Sequence, residues 1–295
     1  MLSEQKKKDI DKIAFDALTK SSALGQYPTP VDKVLQYADL RVNSKVDLSV
    51  VPEHYLAKFG LVLKRAVSKV RGVLVRNDRI ILLDNEQSTQ RKNFVKLHET
   101  AHDLLYWQGK LINCLDDDET LAPETNELFE AEANYFASAV LFQQEMFSDQ
   151  LLTMPLGMSS ARALAKNFGS SVHAAARRYV EHSPKRCILL ILNKENPVGF
   201  GWPKITLRNS LQSPSFTREF GTLTWDTELG VDYTFVQEYI NGRRDLQSEI
   251  SILTDNGYIN CTYHFFNNTY NGFVLIFPQG ETIKSRTRFV FTEAV

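Results

Sequence analysis

The sequence predicts an α+β fold, mostly helical with a small sheet up to about residue 183 and β-rich from 184 to 295. Three observations predict it. Apolar residues recur at helical spacing through most of the first 183 residues. One segment there, Val70 to Asp84, breaks that rhythm with two apolar runs around a polar pair. After Ser183-Pro184 the chain turns to β-branched and aromatic runs broken by Gly, Asn and Pro. At 295 residues it is long for one domain and comfortable for two, since domains hold roughly 100–200 residues.

From Ser3 to Lys20, Ile10, Ile13, Ala14, Ala17 and Leu18 fall on one helical face. Ser3 is placed to cap that helix and Glu4 to meet the positive end of its dipole. GQYPTP reads as a turn, and Pro30 stands where a second helix begins, with Val31, Val34, Leu35 and Ala38 as its stripe. GVLVRNDRIILLD, with Asn77-Asp78 between two apolar runs, reads as a hairpin. Residues 90–107 return to helical spacing, with Phe94, Leu97, Ala101, Leu104 and Leu105 on one face. Asp116 to Glu127 reads as a polar loop, and an apolar helix follows from about Asn126 to Met146. Ala161–Phe168 and Val172–His182 read as two short helices joined by Gly169-Ser170-Ser171. CILLILN, NPVGFGW, GYINCTYHFF, GFVLIF and TRFVF then have strand chemistry, suited to a half-open sheet with helices or a small sandwich.

A hydrophobic fraction of 43% and a charged fraction of 23% exclude disorder and fibrous repeats. Lys+Arg at 34 against Asp+Glu at 35 argues against a protein that generally coats nucleic acid, leaving only a local basic face open. No stretch approaches the roughly 20 apolar residues of a membrane helix, and the N-terminus lacks a signal-peptide core. Cys114, Cys187 and Cys261 are too few and too scattered for a disulfide framework or a CxxC site. The chain reads as soluble and cytoplasmic.

The sharpest chemical signal is His98-Glu99-Thr100-Ala101-His102. Residues four apart share a helix face, so both imidazoles can converge on one cation. Glu99, about 100° round the helix, stands beside that point, where a carboxylate can take a proton from an activated water. Both histidines adjoin the apolar stripe, where an imidazole needs a partner. A catalytic zinc asks for a third protein ligand. His54 lies upstream, and His173, His182 and His264 lie in segments that read as other subdomains. The helix ELFEAEANYFASAVL offers Glu127, Glu130 and Glu132. Glu127 lies near the helix start, where it suits the dipole, and Glu132 is expected to face solvent. Glu130 shares a face with Asn134 and Ala137 and interrupts an apolar surface, which favours it as the ligand.

FVKLHETAH followed by ExEANxFAsavL resembles the ImmA/IrrE family of metallopeptidases. Phe94, His98, Glu99 and His102 match the first motif; Glu130, Ala133, Asn134, Phe136 and Ala137 match the second. The resemblance covers about residues 28–180 and stops before the β-rich tail. Where the family ends this helix in a Leu-Met-Pro-like sequence, the chain has Leu141-Phe142-Gln143, so a longer helix is expected. The resemblance implies a gluzincin-like site with His98, His102 and Glu130 as metal ligands, Glu99 as general base and acid, and Asn134 orienting a ligand. It implies Zn²⁺ by default, with Mn²⁺ open, and a protein substrate: an Xre-type helix-turn-helix transcriptional repressor cleaved in a stress or mobile-element response.

The expected division is a metallopeptidase domain at 1–150, a helix-turn-helix-like subdomain at 151–183 and a β-rich domain at 184–295. A sensory or substrate-docking role for the last rests on position alone. Residues 161–182, with Arg177 and Arg178, could touch nucleic acid or cradle a repressor, but without a broader positive field packing is the favoured reading. Asp116–Glu119 reads as a solvated loop and Cys114 as a structural thiol; Tyr106 and Tyr135 read as packing aromatics. The alternative function is a non-catalytic DNA- or repressor-binding regulator with a structural metal.

Overall fold

The computed structural model describes residues 2–44, 72–84, 86–113, 123–193 and 204–281. His54, Cys114, the Asp116–Glu119 run and the NPVGFGW and TRFVF segments lie outside the described residues. The chain divides into two compact units, residues 1–147 with 166–171, and residues 148–165 with 172–295. No helix among the described residues is long and apolar enough to cross a membrane.

The first unit starts with α1 (Glu4–Lys20), capped by Ser3, whose side chain accepts from the Lys6 N–H, and α2 (Val31–Tyr37). Strands β1 (Arg41–Asn43), β2 (Gly72–Val75) and β3 (Ile80–Leu83) form a sheet in the order β1-β3-β2, with β1 parallel and β2 antiparallel to β3. The expected hairpin is therefore present. Its turn is longer than Asn77-Asp78 alone, because a 3-10 turn at Arg76–Asp78 leads into Arg79 with φ 55°.

Helix α3 (Thr89–Leu104), capped by Ser88, and α4 (Tyr106–Asn113) replace the single helix expected over 90–107. The break falls at Leu105, buried with ψ 80°, whose N–H still reaches the Ala101 carbonyl. The hairpin clasps this end of α3. Arg79 pairs through both terminal nitrogens with Asp103, and Arg76 donates to the His102 carbonyl at 2.6 Å. Arginines at a helix C-terminus satisfy carbonyls that the helix leaves unpaired.

Helix α5 (Pro123–Phe142) packs against α1 and α3. Ala101, Ala133 and Ala137 are fully buried, and small side chains at a crossing let helix axes approach closely. The extension expected beyond Gln143 is not found. Gln143 and Gln144 take positive φ, 47° and 39°, and a new helix, α6 (Glu145–Thr153), follows. Tertiary hydrogen bonds make the stop in place of a proline. Gln143 accepts from the Gly25 N–H at 2.7 Å and donates to the Gln26 carbonyl at 2.9 Å and Thr29 Oγ1 at 3.0 Å.

In the remaining chain, α7 (Met158–Phe168) and α8 (Val172–Glu181) flank Gly169-Ser170-Ser171 as expected, Gly169 having φ 65°. The second unit's sheet comprises β4 (Ile188–Asn193), β5 (Ile205–Gln212), β6 (Glu228–Leu229), β7 (Asp245–Thr254), β8 (Gly257–Asn267) and β9 (Asn271–Pro278), in the order β6-β5-β4-β9-β8-β7. Every pairing is antiparallel. Two short helices, α9 (Pro214–Phe220) and α10 (Thr234–Ile240), bury Phe216, Phe235, Val236 and Tyr239 against one face, where Ile188, Leu190, Tyr263 and Val274 meet them. This is the half-open sheet with helices rather than the sandwich. Helix α8 packs on β4 and β5, with Ala175, Ala176, Tyr179 and Val180 buried. Its apolar face is thus spent on the sheet, and Arg177 pairs along the helix with Glu181 at 3.5 Å.

Three histidines of this unit are held below their ordinary range. Burial first, then the charges of Arg208 and Arg177, takes His173 down to about 4 beside the Phe273 ring. Burial and Arg178 take His182 to about 4, and burial lowers His264. An imidazole whose folded value is depressed stays neutral in the native state while the unfolded chain takes up a proton below about 6.5. The stability it contributes is present above about pH 6.5 and is lost as pH falls towards 4. The Tm should therefore drop between pH 7 and 5, and His173→Gln should give a shallower slope in the same thermal-unfolding series.

Candidate metal centre

Packing of α3 on α5 brings three of the sequence-predicted residues together. His98 Nε2 and His102 Nε2 lie 3.1 Å apart, with the rings nearly perpendicular. The Glu130 carboxylate straddles them, Oε2 at 3.3 Å from His98 Nε2 and Oε1 at 3.5 Å from His102 Nε2. One ligand atom from each residue falls within 4.8 Å of the other two, the geometry of a group that could hold a metal ion.

The outward ring nitrogens have partners. His98 Nδ1 lies 3.1 Å from Asn134 Oδ1, and His102 Nδ1 lies 2.8 Å from Gln108 Oε1. Both partner atoms are amide oxygens, which accept, so each Nδ1 carries a proton and a neutral ring keeps its lone pair on Nε2. Neutral rings would then set two lone pairs beside a carboxylate, an arrangement that a shared positive charge, a proton or a metal ion, satisfies. The electrostatics show the same demand for positive charge. Burial raises Glu130, yet its hydrogen bonds and charge interactions with His102 and His98 outweigh burial and hold it well below the carboxylate range. Burial lowers His102, but Glu130 and Glu99 more than reverse it, so this imidazole is raised. The residues fit a divalent metal, and among the described residues they supply three ligands and no fourth.

Glu99 is buried beside the trio rather than in it. Its Oε2 accepts from the Leu74 N–H of β2 at 2.9 Å. Burial raises its pKa above the ordinary carboxylate value, the two imidazoles offsetting part of this. The close approach of β2 depends on Gly72, where a Cβ would lie 2.2 Å from Val95 Cγ1 of α3.

Glu132 corrects an expectation. It does not face solvent but is fully buried, its Oε2 accepting from Trp107 Nε1 at 2.7 Å and Gln108 Nε2 at 2.8 Å, with Lys6 Nζ 3.5 Å from Oε1. Glu132 does point away from Glu130, about 200° round the helix. That side of α5 is covered by α1 and α4. Glu127 is exposed and takes no part in the trio. His173, His182 and His264 belong to the second unit. Tyr135 turns its hydroxyl to Asp11 at 3.3 Å, and Tyr106 is exposed, its ring edge-on to Trp107. Sequence reasoning missed Gln108 and the Leu74 N–H; neither carries a motif, and only the fold brings them to the site.

A peptidase family model described as the IrrE N-terminal-like domain matches residues 57–179, a stretch that contains both motif helices. No curated protein matches the chain. Among solved structures, a Mycobacterium tuberculosis transcriptional regulator is similar with a TM-score of 0.50 at 14% identity, over 91% of this chain and 75% of that one. At that identity the likeness is one of fold. The two motifs and the packing that joins them fall within residues 57–179, the stretch that is similar to the IrrE N-terminal-like domain.

Proposed function

We propose that the chain is a metal-dependent endopeptidase, with Zn²⁺ as the resident ion, that cleaves a protein partner of the Xre-type helix-turn-helix repressor class. The observation that carries this reading is the trio of His98, His102 and Glu130, each imidazole presenting its Nε2 to the carboxylate while a side-chain oxygen meets its Nδ1. A divalent ion held there would supply Lewis acidity, polarising a scissile carbonyl and making water a nucleophile near neutral pH. Three protein ligands leave a position open, as catalytic rather than structural zinc sites do.

The chain's own residues supply the rest. Asn134 and Gln108 hold the two rings in the ligating orientation. Glu99, anchored by the Leu74 N–H, stands where its carboxylate can take a proton from the attacking water and return it to the leaving amine nitrogen. Its raised value suits it to both halves of that transfer. A regulator that used the ion only for structure would have no use for a buried ionisable group beside an open site. A link to transcription is supported by the family match and by the structural neighbour, itself a transcriptional regulator.

Glu99→Gln should keep the metal, measured by elemental analysis of purified protein, while cleavage of a purified Xre-type helix-turn-helix repressor falls by about 10²–10⁴-fold. His98→Ala should lose both. Persistent cleavage by Glu99→Gln, read as fragment masses, would take Glu99 out of this role.

Loading with Zn²⁺ to about 100 times its Kd should add about 2.7 kcal/mol of stability. That increment should vanish with EDTA and in His98→Ala, as followed by thermal unfolding. An equal shift in His98→Ala would place the bound ion elsewhere.

A further inference from the structure

Gln108 is fully buried, and its two ends meet different chemistry. One end lies 2.8 Å from His102 Nδ1; the other lies 2.8 Å from Glu132 Oε2 and 3.3 Å from the Phe129 carbonyl. A carboxylate and a carbonyl only accept, so the second end must be the NH₂ group and the first the oxygen. An oxygen facing His102 Nδ1 can be met only by an N–H. In a neutral imidazole that proton placement leaves the lone pair on Nε2, the atom that faces His98 and Glu130.

We propose that Gln108 and Glu132 are positioning residues that fix the tautomer of His102 and thereby decide whether its Nε2 can ligate; this rests on the metal-centre reading above. Reversing the Gln108 amide inverts the chain of consequences. Its NH₂ would donate to Nδ1, the ring proton would move to Nε2, and the lone pair would be lost from the trio. Glu132 prevents that reversal. Its Oε2 takes the Trp107 indole N–H as well as the Gln108 amide, and Lys6 sets a cation 3.5 Å from Oε1 while lying 4.2 Å over the Trp107 ring. His98 is oriented separately, by Asn134 on the other face of α5. The two imidazoles are therefore set from opposite sides of that helix, by different residues.

The test measures Zn²⁺ affinity by chelator competition on the full chain. It also reads the His102 tautomer by ¹⁵N-histidine NMR of the metal-free protein at alkaline pH, where the ring is neutral. Wild-type His102 should be protonated at Nδ1. Gln108→Met, close in size but without an acceptor, should bind Zn²⁺ about 10–100-fold more weakly and shift His102 towards the Nε2–H form. The double variant Gln108→Glu with Glu132→Gln keeps an acceptor at His102 and the same net charge, and should restore most of the affinity and the Nδ1–H signal. If Gln108→Met fails to fold, Glu132→Gln alone, which frees the amide to reverse, should show a mixed tautomer. Wild-type affinity and tautomer in Gln108→Met would overturn the proposal, as would a double variant no tighter than Gln108→Met. Failure of the metal-centre reading looks different: wild type would then bind Zn²⁺ no better than His98→Ala, while the metal-free spectra would still judge the relay.

Discussion

The first unit is organised around a shared demand for positive charge. Two imidazole nitrogens 3.1 Å apart face a carboxylate that straddles them. In neutral rings both nitrogens would turn lone pairs on that carboxylate, and the two rings would gain by swinging away. Neither can. His98 is buried and tied to Asn134, His102 is tied to Gln108, and the hairpin arginines Arg76 and Arg79 hold the last turn of α3 in place. Burying polar groups with their electron pairs unmatched costs several kcal/mol. Packing of α3 against α5, through fully buried Ala101, Ala133 and Ala137, sustains the arrangement. The fold thus keeps the three side chains of the proposed metal site together in advance, so that an arriving ion would not need to reorder them.

What the sequence disclosed of this site follows from one periodicity. A spacing of four from His98 to His102 places them on one helix face whatever surrounds the helix, and the interruption of an apolar surface by Glu130 marked the facing helix. Periodicity gives a direction but not what lies in that direction. Glu132 points away from Glu130, as its spacing requires, yet that direction leads to Lys6 on α1 and to Trp107 and Gln108 on α4. Nothing local to ELFEAEANYFASAVL could announce them. The end of α5 is a similar case. Without a proline, the stop comes from Gln143 meeting Gly25, Gln26 and Thr29, more than a hundred residues earlier in the chain.

The second unit was legible in its centre and not at its edges. β4 and β9 are buried along almost their whole length, because helices cover both faces of the sheet there, so ILLILN and GFVLIF stand out as continuous apolar runs. β5 and β7 lie further out in the sheet and alternate, as in DLQSEISILT, whose outward side chains are exposed. Polar alternation of that kind resembles loop composition, and neither strand was distinguished beforehand. The short helices α9 and α10 were missed for the same reason: their anchoring residues, Phe216, Phe235 and Val236, are too few to set a period.

Glu130 and Glu132 stand two residues apart on one helix and do opposite work, and their surroundings alone decide which does which. Glu132 has both indole and amide N–H groups on one oxygen and an ammonium near the other. Its Oε2 is met twice, while Oε1 makes no hydrogen bond and has only the ion pair with Lys6, so drawing it towards an ion would strip two hydrogen bonds and that ion pair from a buried carboxylate, an exchange that costs more than it returns. Among the described residues, Glu130 has only the two imidazole nitrogens as polar partners, with its side chain 39% exposed. It is the carboxylate left incomplete by the fold, and an incomplete, reachable carboxylate opposite two lone pairs is what ligation requires. Glu132 serves Glu130 indirectly, through the Gln108 amide and the ring of His102. A buried charge two residues from a ligand is then neither a rival ligand nor a passive part of the core, because the same hydrogen bonds that satisfy it hold an electron pair in position on the far side of the helix.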